Sequence, residues 1–437
     1  MITRRDAIRL AMLAALAQPL LAACGEDDNG RGGGDVTEGG ELDLVGSDAE
    51  RTPGDPEAIP DVVAAMHRFA GGVYGALPAD DNLVLSPYSI AVALGMTLAG
   101  AGGTTAEEMR TVLGADDRFH AGINALSSYV EGLAGRQERA DGSSADVALD
   151  AANQLFGQRD VGWEQAFLDL LAEQYGAGMR TVDFATAFED ARELINTWVE
   201  EQTHDRIEDL IPEGVLDAMT RLVLVNAIYL KAPWEVPFEK QLTAPGQFHL
   251  ADGSAVEVDL MSGPEVDGRL SSGDGWRAAR LLYAGRRLAM TIVLPDEGRL
   301  AAVEELVAAG GLPDLVADGR STKLDVRLPR WSYRTSAALA DPLKELGMPT
   351  AFDPVAADFR PMTDEDLDLS IAAVLHQGFI AVDEEGTEAA AATAVVAHLT
   401  SLPQTEPFHV DRPFLYVIHD VEHGTPLFLG RVLDPTA

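Results

Sequence analysis

Val382-Asp383-Glu384-Glu385-Gly386-Thr387-Glu388-Ala389-Ala390-Ala391-Ala392-Thr393-Ala394-Val395-Val396-Ala397 opens like the end of a strand and then turns small and featureless. Propensity alone makes its alanines a short helix. Gly386, Thr387 and the Val395-Val396 pair are poor helix formers around so short a core. Read with a period of two, Thr387, Ala389, Ala391, Thr393, Val395 and Ala397 share one face. None of them is charged or large, so that face can pack on a core without burying a charge. No proline lies between Gly386 and Leu402, so every backbone N–H there can join a ladder, and Gly386 supplies a hinge. The segment has the composition of a strand at a place where a loop belongs.

Outward from this stretch the chain offers sheet and helix in turn. Leu222 to Leu230 is nearly continuously apolar and suits a strand buried on both faces. Ala289–Leu294 and Phe414–Ile418 read alike. The first half is mostly helical: Val62, Met66, Phe69, Val73 and Tyr74 fall on one helical face. Ser86-Pro87 predicts a helix start with a hydroxyl cap and a proline in the first turn. Thr105 and Glu108 predict a capping box for a helix stopped by Gly114. Glu164 to Tyr175 and Phe188 to Thr203 predict two more helices. Helices come mostly first and strands later, which places the fold in the α+β class. The folded domain is expected over residues 61–437, without internal repeats and without a later apolar stretch long enough to span a membrane.

The chain has 437 residues, of which 46% are apolar, enough for a sizeable core. Asp and Glu number 71 against 32 Lys and Arg, a formal charge of −39. So acidic a surface repels nucleic acid and anionic lipid, and no basic helix stands out for a polyanionic cofactor. Cys24 is the sole cysteine, which rules out an intramolecular disulfide and a cysteine-built zinc site. It closes a segment ordered like a signal peptide, with Arg4, Arg5 and Arg9 ahead of an apolar run from Leu10 to Ala23. Leu21-Ala22-Ala23-Cys24 looks like a lipobox, which predicts cleavage after residue 23 and lipidation of Cys24. Thr3-Arg4-Arg5 also resembles a twin-arginine signal, though Asp6 and the lack of the usual aromatic leave the export route open. Residues 24–60, poor in apolar side chains, are expected to form a flexible tether.

In register with these elements, a series of motifs resembles the serpin family over Asp61 to Val432. Ser86-Pro87-Tyr88-Ser89-Ile90 is similar to the start of that family's helix B. Asn153-Gln154-Leu155-Phe156, Val182-Asp183-Phe184 and Ile195-Asn196-Thr197-Trp198-Val199 follow. Val225-Asn226-Ala227-Ile228-Tyr229-Leu230-Lys231-Ala232-Pro233-Trp234 resembles the central sheet strand. Then come Leu346-Gly347-Met348, Ala357-Asp358-Phe359 and Val374-Leu375-His376. Glu384-Glu385-Gly386-Thr387-Glu388-Ala389 resembles the hinge, and Asp411-Arg412-Pro413-Phe414 with Gly430-Arg431-Val432 the C-terminal signature. Departures are small: Gly378 for a usual alanine, Leu230 for a usual phenylalanine and Arg360 for a usual serine. The chain looks like a lipoprotein-type member from a bacterium.

The resemblance implies three β-sheets, about nine helices and an exposed reactive-centre loop. It implies a metastable protein that inhibits serine-type endopeptidases as a suicide substrate, with cysteine proteases also open as targets. Cleavage lets the loop insert into the main sheet, a known case of stored strain released by proteolysis. The hinge comprises Glu384, Glu385, Gly386, Thr387, Glu388, Ala389, Ala390, Ala391 and Ala392. Counting from it places the scissile bond at Thr400-Ser401, with Leu399 or Leu402 as alternative recognised side chains. Thr400 suits an elastase-like or subtilisin-like pocket, and either leucine a chymotrypsin-like one. Ser86, Ser89, Asn196 and His376 match the family's shutter, and Trp198 its breach, where insertion begins. No catalytic residue, metal or cofactor is implied, and the expected state is an exported monomer at the cell surface or in the periplasm, touching membrane only through its lipid.

The alternative within the family is a non-inhibitory serpin acting as a surface binding protein. Such members commonly carry large, charged or proline residues on the inserting face, and this hinge does not. His419-Asp420-Val421-Glu422-His423 matches a zinc-peptidase pattern that requires a helix. Strand residues precede it and Gly424-Thr425-Pro426 follow, which predicts a hairpin. No G-x-S-x-G or H-E-x-x-H motif supports an enzyme.

Overall fold

A computed structural model describes residues 42–388 and 405–437. Cys24, the segment 1–23, Ala389–Ala392 of the hinge, and Leu399, Thr400, Ser401 and Leu402 lie outside the described residues.

Among the described residues the strands form two hydrogen-bonded networks. The main sheet has eight: β1 (Asp43–Val45), β3 (Gly135–Glu138), β4 (Ser144–Gln158), β5 (Met179–Val182), β6 (Leu222–Pro233), β13 (Trp331–Ala338), β14 (Ala373–Val382) and β15 (Gly386–Thr387). Its order is β1-β5-β4-β6-β15-β14-β13, with β3 paired to β4. The second network has ten: β2 (Leu83–Leu85), β7 (Ala244–His249), β8 (Ala255–Met261), β9 (Val266–Gly273), β10 (Trp276–Leu282), β11 (Leu288–Pro295), β12 (Arg320–Pro329), β16 (Thr405–His409), β17 (Phe414–Asp420) and β18 (Pro426–Val432). This network divides at β12. One part runs β2-β18-β17-β11-β10-β9, and the other joins β12 to β16, β8 and β7. The junction is Arg320–Leu324 of β12 against Val266–Leu270 of β9. With the main sheet, these parts make the three sheets that the resemblance implies.

The unbroken apolar run in β6 has a plain cause. Leu222, Leu224, Ile228 and Leu230 face the principal core, while Val223, Val225 and Ala227 face a second cluster. Both faces are covered, so both sets of alternate residues are apolar.

Nine α-helices are described: α1 (Ile59–Ala76), α2 (Pro87–Leu98), α3 (Gly103–Leu113), α4 (Phe119–Glu131), α5 (Gln165–Tyr175), α6 (Phe184–Gln202), α7 (Leu300–Leu306), α8 (Leu312–Val316) and α9 (Ala340–Glu345). The side chain of Ser86 caps α2 by accepting from Ser89 N–H. α6 lies over the main sheet, putting Ile195, Trp198 and Val199 against Phe156, Val223 and Val225. The expected capping box on α3 is not formed: Gly102 is the N-cap, and Thr105 lies inside the helix. Thr105 Oγ1 instead accepts from Asp358 N–H, and Glu108 accepts from Thr350. Both side chains serve the packing of a distant segment, which outweighs local capping.

Two further differences concern boundaries and packing. Residues 43–60, expected to belong to the tether, instead take part in the fold. β1 pairs antiparallel with β5, Asp43 opposite Thr181 and Val45 opposite Met179. Arg51 Nε donates to Asn124 Oδ1 at 2.8 Å, and Asp55 pairs with Arg118 at 2.7 Å. Ladder bonds and ion pairs hold this stretch, and a reading by apolar content does not register them. Gly378 also has a steric reason. A Cβ there would stand 2.9 Å from Val84 O and 3.1 Å from Val84 Cγ1.

Candidate functional site

The described part of the hinge is fastened at the top of the main sheet. β6 and β14 pair directly, in parallel, from Ala373↔Val223 to Gly378↔Ile228. Above that the strands part and β15 lies between them, antiparallel to both: Gly386↔Pro233, Thr387↔Ala232 and Val382↔Thr387. A side chain at Gly386 would place its Cβ 2.3 Å from Ala232 O, so only glycine fits. Thr387 is buried and its hydroxyl lies 2.7 Å from the Tyr283 hydroxyl.

The residues before β15 are held equally firmly. Trp234 N–H donates to Glu385 O at 2.8 Å, Phe238 N–H to Glu384 O at 2.9 Å, and Trp234 Nε1 to Asp383 O at 3.1 Å. The Trp234 indole stacks on Tyr283, with centroids 4.6 Å apart and planes 3° from parallel. Glu384 is 1% exposed. Its carboxylate accepts from Arg330 Nε at 2.9 and 3.0 Å and from the Thr243 hydroxyl. Burial pushes this carboxyl up, but Arg330 and Thr243 together keep it below its ordinary pKa. Glu385 pairs with Lys240 at 3.2 Å, and Glu388 with Arg206 at 2.5 Å.

Lower in the sheet a buried polar network ties β6 to β14. His376 Nδ1 is 2.5 Å from Asn226 Oδ1, and Ser86 N–H donates to His376 Nε2 at 3.2 Å. The second contact requires Nε2 to be an acceptor, so the proton sits on Nδ1 and is donated to Asn226. Asn226 Nδ2 donates to Ser89 Oγ at 2.6 Å and to Asn153 Oδ1 at 2.5 Å. Ser89 Oγ–H also donates to Asn153 Oδ1 at 2.6 Å. Burial pushes the His376 pKa down to about 4, so the ring is neutral at pH 7.

Three of the four residues assigned to the shutter from sequence therefore meet: Ser86, Ser89 and His376. Asn196 does not. It sits on α6, donates to Ile211 O at 3.0 Å and accepts from Ile211 N–H at 2.8 Å, anchoring the loop beyond the helix. Asn226 and Asn153 complete the cluster. A lone amide on the core-facing side of an apolar strand was the available signal for Asn226. Trp198 is likewise not beside the hinge. It packs edge-on against Phe156 at 5.6 Å, with the Arg180 guanidinium 5.3 Å from its ring, over β4 and β5. The tryptophan that bonds to Asp383 and Glu385 is Trp234, five residues past Tyr229 in the quoted central-strand motif.

The zinc-like pattern resolves into a hairpin. His419 lies buried in β17, its Nε2 2.9 Å from Thr291 Oγ1 and its Nδ1 2.9 Å from Asp420 O. Glu422 and His423 belong to the turn that follows.

Known proteins align with this architecture over most of its length. A model of the serpin (serine protease inhibitor) family matches residues 64–435. An uncharacterized serpin-like protein of Thermococcus kodakarensis is 36% identical over 381 residues, 86% of each chain. The leukocyte elastase inhibitor of Bos taurus is 34% identical over 384 residues, 85% of this chain and 99% of that one. The crystal structure of Serpin48, a highly specific serpin of the insect Tenebrio molitor, superimposes with a TM-score of 0.75 at 30% identity, covering 87% of this chain and 99% of that one. By its sheet order, the short strand Gly386–Thr387 between β6 and β14, and these matches, the chain belongs to the serpin family.

Proposed function

We propose that this protein is a suicide-substrate inhibitor of serine proteases, exported and held at the cell surface or in the periplasm by a lipid on Cys24. Many serpins are serine protease inhibitors rather than catalysts. The observation that supports the reading most is the pairing of Gly386 and Thr387 between β6 and β14. A strand that must grow between two others has its first residues in place, and the small uncharged face of Ala389 to Ala397 suits the rest.

In this reading the protease serine attacks the carbonyl carbon of Thr400. The peptide bond breaks, the amine leaves with Ser401, and an ester joins the two proteins. Loop insertion then competes with attack of water on that ester. Insertion distorts the protease before deacylation and traps it; a slow insertion leaves cleaved serpin and free enzyme. The protein acts as a monomer, and the likeness of Thr400 to a small-pocket substrate favours elastase-like or subtilisin-like targets.

The test is to mix the protein with elastase, subtilisin and chymotrypsin in turn and run denaturing gels, with mass spectrometry of the released peptide. A band at the summed mass that survives denaturant supports the reading, and the peptide locates the bond. Clean cleavage by all three without such a band overturns it in favour of the non-inhibitory alternative.

A further inference from the structure

Two hinge residues lie in the main sheet and the third turns out of it. Glu388 N–H still donates to Ala381 O of β14 at 2.9 Å. Its backbone then takes φ 53°, a left-handed conformation unfavourable for a residue with a β-carbon. The Glu388 side chain is only 8% exposed, and Oε1 lies 2.5 Å from Arg206 Nε. Arg206 follows α6, and its guanidinium stands 5.8 Å from the Phe379 ring of β14.

Strand alternation settles which faces are involved. Thr387 points to the core side, where it meets Tyr283, so the next residue of a continued strand points to the opposite face. On β6, Leu230 and Ala232 are core residues, so Tyr229 and Lys231 share that opposite face. The register Gly386↔Pro233 and Thr387↔Ala232, lengthened by one residue, brings Glu388 directly opposite Lys231. Residues 229–231 of β6 have no ladder partner on that side among the described residues. The β14 pairing ends at Ile228, and the β15 pairing begins at Ala232. Burial pushes the Glu388 carboxyl up, and Arg206, the Tyr229 hydroxyl and, more distantly, Lys231 oppose it.

We propose that Glu388 is handed from one cation to another during insertion: Arg206 holds it in the uncleaved protein, and Lys231 receives it as a cross-strand partner when β15 lengthens. The Arg206 pair is a catch that keeps the loop at two inserted residues. The Lys231 pair stabilises the inserted form, and the passage also relieves the left-handed backbone. The carboxylate keeps a positive partner at both ends of the move, which lets a charged residue stand at this point of an inserting strand. The inference rests on the inhibitor reading above for its biological purpose.

The test compares Arg206→Ala, Lys231→Ala and Glu388→Gln in the full chain. Readouts are amide hydrogen exchange over residues 382–388, the rate of heat-driven conversion to the inserted form, and melting of protein cleaved in its loop. Arg206→Ala is expected to raise exchange at Glu388 and speed conversion by roughly three- to tenfold, as for a partly buried ion pair, without changing cleaved-form melting. Lys231→Ala should change exchange and conversion much less than Arg206→Ala, since Lys231 acts on Glu388 only from a distance before insertion, and should lower cleaved-form melting by a few degrees. Glu388→Gln should do both. Arg206→Ala and Lys231→Ala acting alike, or neither acting, overturns the handover. So does cleaved protein that melts no higher than uncleaved. Covalent complex formation is scored separately: its failure refutes the inhibitor reading, while exchange and melting still judge the handover.

Discussion

Removing the His376 imidazole should release the hold of β14 on β6. The ring is 1% exposed and bridges Asn226 Oδ1 and Ser86 N–H. His376→Ala leaves both groups buried without that partner, at about 1–3 kcal/mol each. Water filling the vacated space recovers part of this, so the working figure is about 2 kcal/mol. Strands β6 and β14 must part for a loop to insert between Asn226 and His376. If the network is already broken in the transition state, a loss of about 2 kcal/mol from the native state speeds spontaneous insertion roughly thirtyfold. Incubation at graded temperatures, with the native fraction read on non-denaturing gels, measures that rate. Acid should act in the same direction. The folded pKa of about 4 lies below the ordinary 6.5, so the unfolded chain takes up the proton first as pH falls. Stability from this group is complete above pH ~6.5, declines with falling pH and levels off near 4, by about 1.4 kcal/mol per unit at most. His120 and His419, also pushed down to about 4 by burial, add to the wild-type slope. The variant should therefore show a shallower acid slope, not a flat one. An insertion rate and an acid slope both equal to wild type would refute the reasoning.

Four other outcomes are expected. Arg330→Ala strands the buried Glu384 carboxylate with Thr243 as its remaining side-chain partner; it should cost about 2 kcal/mol in urea unfolding, reduced from a fully buried pair because Arg330 is partly exposed. Unchanged urea midpoints would mean the pair is decorative. Thr393→Arg places charge on the inserting face and should turn the protein into a substrate, seen as cleavage in place of stable complex; undiminished complex yield would count against the face assignment. Gly378→Ala should destabilise by about 1–3 kcal/mol because its Cβ meets the Val84 backbone, and a neutral result in thermal melts would show that β2 can move. Cys24→Ala should release the protein from membranes, and an unchanged membrane fraction would remove the anchor from the proposal.

The legible parts of the fold were those written in local pattern. The apolar run of β6 and the Ser86 cap each carry their structural meaning within a few neighbours. The site was legible where a family-like motif carries the residue, as for Ser86 and Ser89 at the start of α2 and His376 on β14. It failed where the partner is distant in sequence and the residue type is ambiguous. Asn196 and Asn226 are both buried amides in family-like motifs, yet one satisfies a loop at Ile211 and the other the gap between strands. Trp198 and Trp234 differ in the same way, both being buried aromatics, and only the stacking on Tyr283 and the bond to Asp383 distinguish them. The ion pairs of Glu384 and Glu388 join residues 54 and 182 positions apart in sequence, so no local pattern could announce them.

The strap from Asp43 to Asp55 has a mechanical consequence for a protein pulled from its N-terminal end. Load would reach its fastenings one at a time: the β1–β5 pairing, then Ser47 on Asp169, Arg51 on Asn124 and Glu131, and last Asp55 on Arg118. Each is a modest attachment of about 1 kcal/mol, so they yield in series and can re-form. At roughly 3.3 Å per residue the strap pays out about 40 Å before tension arrives at α1, whose residues belong to the principal core. In the proposed anchored protein, a pull on the N-terminal end would be spent on these fastenings before it reached the principal core.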